Sequence, residues 1–421
     1  MEKRISPGRL SGSVPVPASK SHTIRALIIA SLARGKSRIN RPLKSADTLS
    51  CIEGCRKIGA DILWEGEDLL VSGTGGAVSP EASVIDVGNS GTTLYLMASA
   101  AALSSGTIRF TGDEQIQARP IAGLLQALED LGASALSEKN NGRPPVTIRG
   151  PLKGGTTEIQ CPTSQYLSSL LLACPLARAD TEITVPLLNE QPYVEMTLRW
   201  MDEQNIKYIN QKFQKFQIPG NQHYSGFSKA VPADFSSAAF FLTAAAVTGS
   251  SLFLEGLDMD DSQGDKTVVS MLEEMGCSID IQSRGIQITG PEQGKLQGRD
   301  FDLNATPDAL PAMAAAGCYA EGTTRLLNVP QARLKETDRI AVMTRELASM
   351  GAVIEELPDG MIIRGRKPLQ GRKVSGHSDH RVVMALAVSA LAAEGETTIT
   401  TAEAVDITFP DFFELMEDLR I

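Results

Sequence analysis

The sequence is short of basic charge, histidine, long apolar runs and paired cysteines, and each shortage excludes something. Among 421 residues there are 40 Lys and Arg against 50 Asp and Glu, a formal charge of −10. No global footprint for nucleic acid exists, so any basic site must be local. The longest nearly apolar stretches, such as Ala238–Val247, fall short of the roughly 20 residues that cross a bilayer. Met1–Val14 is polar and punctuated by Gly and Pro, with no apolar signal-peptide core. Of six cysteines, Cys51 and Cys55 lie four apart, with no further Cys or His at zinc-ligand spacing. Reduced thiols in a cytoplasmic protein are the expected state. The four histidines, at 22, 223, 377 and 380, carry no argument for a Ser–His–Asp triad, and His223 reads as a surface-loop residue. No Walker A motif occurs. The GTGG at 73–76 is followed by no apolar helix, so it is not a dinucleotide fingerprint.

What remains is an ordinary globular composition, 42% hydrophobic and 21% charged. It argues against a disordered, collagen-like or coiled-coil chain. At ~150 residues per domain the length allows about three domains, and two large ones fit equally well.

Two patterns recur. The first is an Ala/Leu-rich helix ending at Gly or Asp and followed by a β-like run. It begins at Ala26, Thr93, Ser168, Ser237, Leu310 and Val383 and is punctuated at Gly35, Gly106, Asp180, Gly249, Gly322 and Gly395, with spacings of 69 to 74 residues. The second is an amphipathic helix stopped by Gly59, Gly132, Asn205, Gly276 or Gly351, with spacings of 71 to 75 residues. Gly and Asn suit a helix C-terminus because they tolerate the left-handed conformation. A last copy, 412–421, is cut off by the end of the sequence. The two phases together predict six copies of a unit of about 72 residues. The first helix type is apolar nearly all round and should be buried; the second has a charged face and should lie outside. Six units would make two packed, three-fold-like domains, with a composition break near Ser225–Pro232. The polar segment before it, Gln211–Gln222, reads as a hairpin. Arg4–Val14 reads as a strand that could pair with the second half.

The informative residues precede the six apolar helices: SKSHTIR (19–25), GNSGTT (88–93), PTSQY (162–166), PADFSS (232–237), TPDALP (306–311) and HSDHRV (377–382). Ser, Thr, Asn and Asp there are good N-caps, which accounts for Ser236 and Thr306. Capping does not account for Lys20, Arg25, His380 and Arg381, because the helix macrodipole disfavours cations at that end. A cation there makes sense beside an anion, and helix N–H groups with nearby Lys or Arg form an anion site. If the units pack alike, several such ends converge on one cleft and the ligand carries phosphate. Arg119, before Pro120 at an expected helix start, adds a cation. The mixed-charge run QARLKETDRI (331–340), with Arg333, Lys335 and Arg339, is either a solvated helix face or a further part of the site.

The blocks SKSHTIRALIIASL, GNSGTT, ARPI, TSQY, PDAL, LKETDRI, DHRVVMALAV and TFPDFF span Ser19 to Phe413 in order. They resemble the signature blocks of the 5-enolpyruvylshikimate-3-phosphate synthases. The resemblance implies an α/β fold, an inside-out α/β barrel of two domains with six βαβαββ repeats, three per domain. One domain would comprise 1–17 and 231–421 and the other 18–230, with the active site in the cleft between them. The implied activity is transfer of the enolpyruvyl group of phosphoenolpyruvate to the 5-hydroxyl of shikimate 3-phosphate. No metal or organic cofactor is implied, no nucleic acid or membrane partner, and a monomer is expected.

Matched residue by residue, the resemblance places Lys20, Ser21, Arg25, Thr163, Ser164, Gln165, Tyr193, Asp308, Gln331 and Lys335 around shikimate 3-phosphate. It places Lys20, Gly91, Arg119, Gln165, Arg339 and Arg381 around phosphoenolpyruvate, with Asn89, Thr92 and His380 in support. Asp308 is the expected base, and Glu336 and Lys20 the expected proton donors and shuttles. The pattern is broken at four positions. Many members have Arg at Tyr95 and Lys at Ile407, while Asn is commoner at Gln331 and Ser at Glu190. The first two departures remove cations from the expected phosphoenolpyruvate pocket. Two alternatives stand beside this reading. One is a UDP-N-acetylglucosamine enolpyruvyl transferase, against which the Cys-free loop before Arg119 and the Lys20–Ser21 pair argue. The other is a non-catalytic relative that binds a phosphorylated ligand.

Overall fold

The computed structural model describes all residues except 80–83, 293–294 and 366–367. One repeat shows how the sequence makes the unit. Strand Val84–Asp86 leads to helix Gly91–Ala101, which returns to strand Thr107–Thr111, parallel to the first. Helix Ala122–Asp130 follows, then the hairpin Ser134–Ser137 and Val146–Arg149, whose second strand pairs antiparallel with Thr107–Thr111. The order is βαβαββ. The parallel pair needs a helical crossover, whereas the antiparallel pair closes through a short connection.

The amphipathic helices stop where the periodicity places their ends. Gly59, Gly132, Gly276, Gly351 and Asn205 all have positive φ, between 57° and 109°. Only a residue that tolerates the left-handed region can satisfy the last carbonyls in this way. Of the six apolar helices, only Phe235–Thr248 ends at its expected glycine, Gly249. The others stop three to seven residues short of Gly35, Gly106, Asp180, Gly322 and Gly395. Four of these residues lie in the connection to the next strand, and Gly322 lies within strand Ala320–Leu327.

The chain divides into two compact units, Met1–Pro17 with Pro232–Ile421, and Ala18–Val231. Each has its own apolar core. Two strands explain the split. Ser11–Pro15, which precedes the first buried helix in sequence, pairs parallel with Ser251–Glu255 in the 232–421 unit. Ser228–Ala230, which precedes the fourth, pairs parallel with Lys36–Asn40 in the 18–231 unit. The N-terminal segment is thus two strands, separated by a stretch containing Pro7 and Gly8, where one was expected. The first, Glu2–Ile5, pairs antiparallel with Thr397–Thr400. Ile209–Gln211 and Lys215–Ile218 form the expected hairpin.

The apolar helices are the buried ones. In the 232–421 unit, every residue of Phe235–Thr248, Leu310–Cys318 and His380–Leu391 is buried. Full burial of one Leu, Ile or Phe contributes about 1.5–3 kcal/mol, so these helices are held by tertiary packing on all sides. In the 18–231 unit, Lys20–Leu32, Gly91–Ala101 and Ser164–Ala173 each leave one residue partly exposed. Those residues are Ser21, Thr92 and Gln165, each in a first turn.

Candidate active site

In the 18–231 unit, helix starts gather the predicted residues. Ser19 caps the first helix, its hydroxyl accepting from the His22 amide at 3.5 Å. Lys20 opens that helix and is nearly buried. Its Nζ lies 3.1 Å from the Asp47 carboxylate, so the cation at the helix N-terminus already has an anion beside it. Arg25 is buried. It donates to Thr197 Oγ1 at 2.8 Å, to the Ser21 and Tyr193 carbonyls at 3.0 Å each and to Ser168 Oγ at 3.4 Å. Burial pushes its guanidinium down to about 10, with Tyr193 and Glu190 opposing the shift, so it stays charged at neutral pH.

Thr163 caps the Ser164–Ala173 helix. Around this helix end, one carboxylate oxygen of Glu190 accepts from Thr163 Oγ1 and the Ser164 amide at 3.0 Å each, and from Ser164 Oγ at 2.7 Å. Gln165 is partly exposed and donates to Thr163 Oγ1 at 3.4 Å. Asn89 donates to Asp113 at 2.6 Å and to Gln115 at 2.7 Å, tying the turn before Gly91 to the next loop. Gly91 is fixed by a close approach: a Cβ built there would lie 1.9 Å from Arg119 Nη1. Arg119 therefore packs directly on the backbone at the start of the Gly91–Ala101 helix.

Arg119 does not begin a helix, contrary to expectation. It ends the short helix Glu114–Ala118 in extended backbone with ψ 134°. Pro120 is the reason, because the residue before a proline is driven out of the α region. Two expected caps are also corrected. Asp234 caps Phe235–Thr248, while Ser236 donates to Asp234 at 2.8 Å and accepts from Arg381 at 2.9 Å. Thr306 makes no side-chain cap and donates instead to Asp265 at 2.5 Å.

The 232–421 unit gathers the titratable residues. Asp308 lies 2.7 Å from Arg339 Nη1, 3.1 Å from Arg381 Nη2 and 3.9 Å from Lys335 Nζ. Arg339 is fully buried and also donates to Glu336 at 2.5 Å and to Asp379 at 2.9 Å. Burial opposes the Asp308 charge, but Arg381, Lys335 and Arg339 outweigh it and hold its carboxyl well below the usual carboxylate range. Burial likewise opposes the charge on Arg339, and Asp379, Glu336 and Asp308 more than offset it. Arg381 donates from Nη1 to His380 Nε2 at 2.8 Å. A guanidinium only donates, so that nitrogen accepts and the ring carries its proton on Nδ1.

The run 331–340 is not one solvated helix. Pro330–Leu334 is a 3-10 turn and a new helix starts at Arg339. Arg333 pairs with Asp338 at 2.6 Å and Glu356 at 2.8 Å. Gln331 is buried in the turn and donates to the Asn304 carbonyl at 2.9 Å.

These groups sit on a sequence whose relatives are well defined. The family profile for EPSP synthase (3-phosphoshikimate 1-carboxyvinyltransferase) matches residues 5–416. The chain belongs to this family. A 3-phosphoshikimate 1-carboxyvinyltransferase of Acetivibrio thermocellus is 54% identical over 98% of this chain and 97% of that protein. One from Ruminiclostridium cellulolyticum is 49% identical over 98% of this chain and 96% of that protein. The solved EPSP synthase of Acinetobacter baumannii superposes with a TM-score of 0.83 at 28% identity, over 100% of this chain and 98% of that one. The fold is accordingly the two-domain enolpyruvyl-transferase α/β architecture.

Within that family, two of the departures are packing residues. Tyr95 is buried, donates to the Pro120 carbonyl at 2.9 Å and meets the Tyr166 ring edge-on at 5.3 Å. Ile407 ends the turn Ala402–Ile407 and packs against the core of its unit.

The sequence reading missed three carboxylates, Asp47, Asp379 and the Glu190 contact. Asp379 looked like a helix cap, which it is, since it accepts from the Arg381 amide at 2.9 Å. Its second role, a hold on Arg339, lies 40 residues away in sequence. A signal did exist: a Lys or Arg inside an apolar helix start requires a buried partner.

Proposed function

We propose that the chain joins phosphoenolpyruvate to shikimate 3-phosphate, giving 5-enolpyruvylshikimate 3-phosphate and phosphate, on the route to chorismate and the aromatic amino acids. Family membership over nearly the whole length supports the reaction. The observation that carries the chemistry is the ion-pair network of Asp308, Glu336 and Asp379 around the buried Arg339, with Lys335 and Arg381, in which Asp308, Glu336 and Lys335 are only partly buried.

We assign Ser21, Arg25, Thr163, Ser164, Gln165, Tyr193, Gln331 and Lys335 to shikimate 3-phosphate. Lys20, Gly91, Arg119, Gln165, Arg339 and Arg381 are assigned to phosphoenolpyruvate, with Asn89, Thr92 and His380 in support. The 5-hydroxyl oxygen attacks C2 of phosphoenolpyruvate, its proton passes to Asp308, and C3 takes a proton from Glu336 or Lys20. A tetrahedral ketal phosphate results. The C2–O bond to phosphate then breaks, the new methyl group gives up a proton, and the double bond re-forms. Two anions held in register account for much of the rate, since orientation alone can supply about 7–11 kcal/mol.

Asp308 needs arming before it can act as a base, because three cations hold its proton off. The carboxylate and phosphate of phosphoenolpyruvate draw on Arg339 and Arg381, which frees Asp308 from part of their field and raises its proton affinity. The base therefore gains strength when the substrate arrives.

Purified protein should release inorganic phosphate when both substrates are present and none when either is omitted. No release with both present would refute the assignment. Among the described residues no helix is long and apolar enough to cross a membrane. We place the enzyme in the cytoplasm as a monomer, which cell fractionation and sedimentation check.

A further inference from the structure

We infer that the Glu190 carboxylate is a built-in occupant of the phosphate-binding helix end, displaced when shikimate 3-phosphate binds. The inference rests on the proposed substrate assignment. Three donors at the start of the ten-residue Ser164–Ala173 helix converge on one oxygen of Glu190, at 2.7, 3.0 and 3.0 Å. A phosphate oxygen would make the same contacts, because hydroxyl and amide donors at a helix N-terminus are matched to an anion.

Three further observations fit a resident anion. Glu190 is buried, so this carboxylate has left water for those donors. Its backbone is left-handed, φ 57° and ψ 41°, an uncommon conformation for a residue with a side chain. It stands at the N-cap of helix Gln191–Glu203 yet makes no side-chain cap there, so its carboxylate is directed to the neighbouring helix instead. The fourth link is Arg25. The acceptors around its guanidinium are hydroxyl and carbonyl oxygens, and Glu190 is the carboxylate whose charge favours its protonated form.

Substrate and side chain cannot both hold the Thr163 and Ser164 donors. A phosphate monoester, with up to two negative charges, can displace one carboxylate. A ligand lacking the phosphate leaves Glu190 in place. Glu190 keeps the helix end satisfied, and the substrate binds less tightly than the bare donors would allow.

The test uses Glu190→Gln, which keeps the shape and removes the charge, and Glu190→Ser, which removes the occupant. With phosphoenolpyruvate saturating, the KM for shikimate 3-phosphate should fall at least about fivefold in either variant. The KM for phosphoenolpyruvate should move less than twofold, and kcat should change less than the shikimate 3-phosphate KM does. In thermal melts, inorganic phosphate should raise the melting temperature of Glu190→Ser and leave the wild type nearly unmoved. An unchanged or higher KM for shikimate 3-phosphate in Glu190→Gln overturns the inference, as does a Glu190→Ser variant whose melting temperature ignores phosphate. If the wild type fails to turn over, the substrate assignment falls by itself, and the melts still report on the helix end.

Discussion

The Asp308 group and the Ser164 group treat charge in opposite ways. Around Asp308, three cations and three carboxylates share partners; Arg339, Asp379 and Arg381 are buried, and Asp308, Glu336 and Lys335 are partly exposed. Unit charges 4 Å apart at an effective dielectric constant of about 20 interact by about 4 kcal/mol, so a change at one member is felt by all. Around Ser164 the donors are hydroxyls and a helix amide, and the charges near them are Glu190 and Arg25. A network of the first kind can shift a proton affinity when an anion arrives. A cluster of the second kind holds an anion but has little means of moving a proton. The proposed division of labour follows: the base and the charges coupled to it in the 232–421 unit, and the helix end that holds the phosphate of shikimate 3-phosphate in the 18–231 unit.

The hardest test of that division is Asp308→Asn. The amide retains the shape and can hydrogen-bond a hydroxyl but takes no proton. kcat should fall by a factor on the order of 10²–10⁴ with the KM for shikimate 3-phosphate little altered. Turnover near the wild-type rate would mean that Asp308 only balances charge. Stability gives a second readout. A carboxyl whose folded pKa is depressed contributes stability that is fully present above its unfolded value, about 3.9, and is lost as pH falls toward the folded value. Denaturant melts should show the wild type losing stability below about pH 4 more steeply than Asp308→Asn.

Gly91→Ala probes the other unit. The added methyl would sit 1.9 Å from Arg119 Nη1, so the guanidinium must move. Loss of one charge-assisted hydrogen bond costs about 1.5–3 kcal/mol, which corresponds to roughly 10- to 150-fold. The KM for phosphoenolpyruvate should rise on that scale while the KM for shikimate 3-phosphate moves much less. Equal rises in both would show that the helix start serves the two substrates jointly.

The repeats were legible in the sequence because helix stops are local. Gly59, Gly132, Asn205, Gly276 and Gly351 each need only their own backbone conformation, and the sequence carries that requirement at a fixed spacing. The partners of the cations were not legible. Lys20 and Asp47 lie on different helices, and their pairing depends on how the helices pack. The same holds for Asp379 with Arg339. Locally Asp379 is an N-cap like many others, and nothing near it in sequence says that a buried guanidinium will reach it. Arg119 departs from the helix start that Pro120 suggests for a local reason, since the stronger effect of a proline is on the residue before it.

Tyr95 gives the smallest expected effects and the sharpest reading of the departures from the family pattern. At Tyr95 the family resemblance leads to an Arg, which suggests a pocket position awaiting a cation. In the structure its hydroxyl is engaged by the Pro120 carbonyl at 2.9 Å, and Tyr166 donates to the same oxygen at 2.7 Å. Tyr95→Arg should therefore leave the KM for phosphoenolpyruvate unimproved and lower the melting temperature, because a cation placed there without a partner pays the desolvation penalty of a buried charge. A lower KM at unchanged stability would restore the pocket reading. Tyr95→Phe removes one hydrogen bond but leaves the Pro120 carbonyl its second donor, so the loss should sit near the low end of about 0.5–1.5 kcal/mol. For a unit of this size, 1 kcal/mol is worth about 2–4 °C, and the melting temperature should fall by no more than about that. If the Phe variant also raises the KM for phosphoenolpyruvate, the Tyr95 hydroxyl is holding the Arg119–Pro120 turn in place, and a position that looked like a lost cation acts by positioning the one that remains.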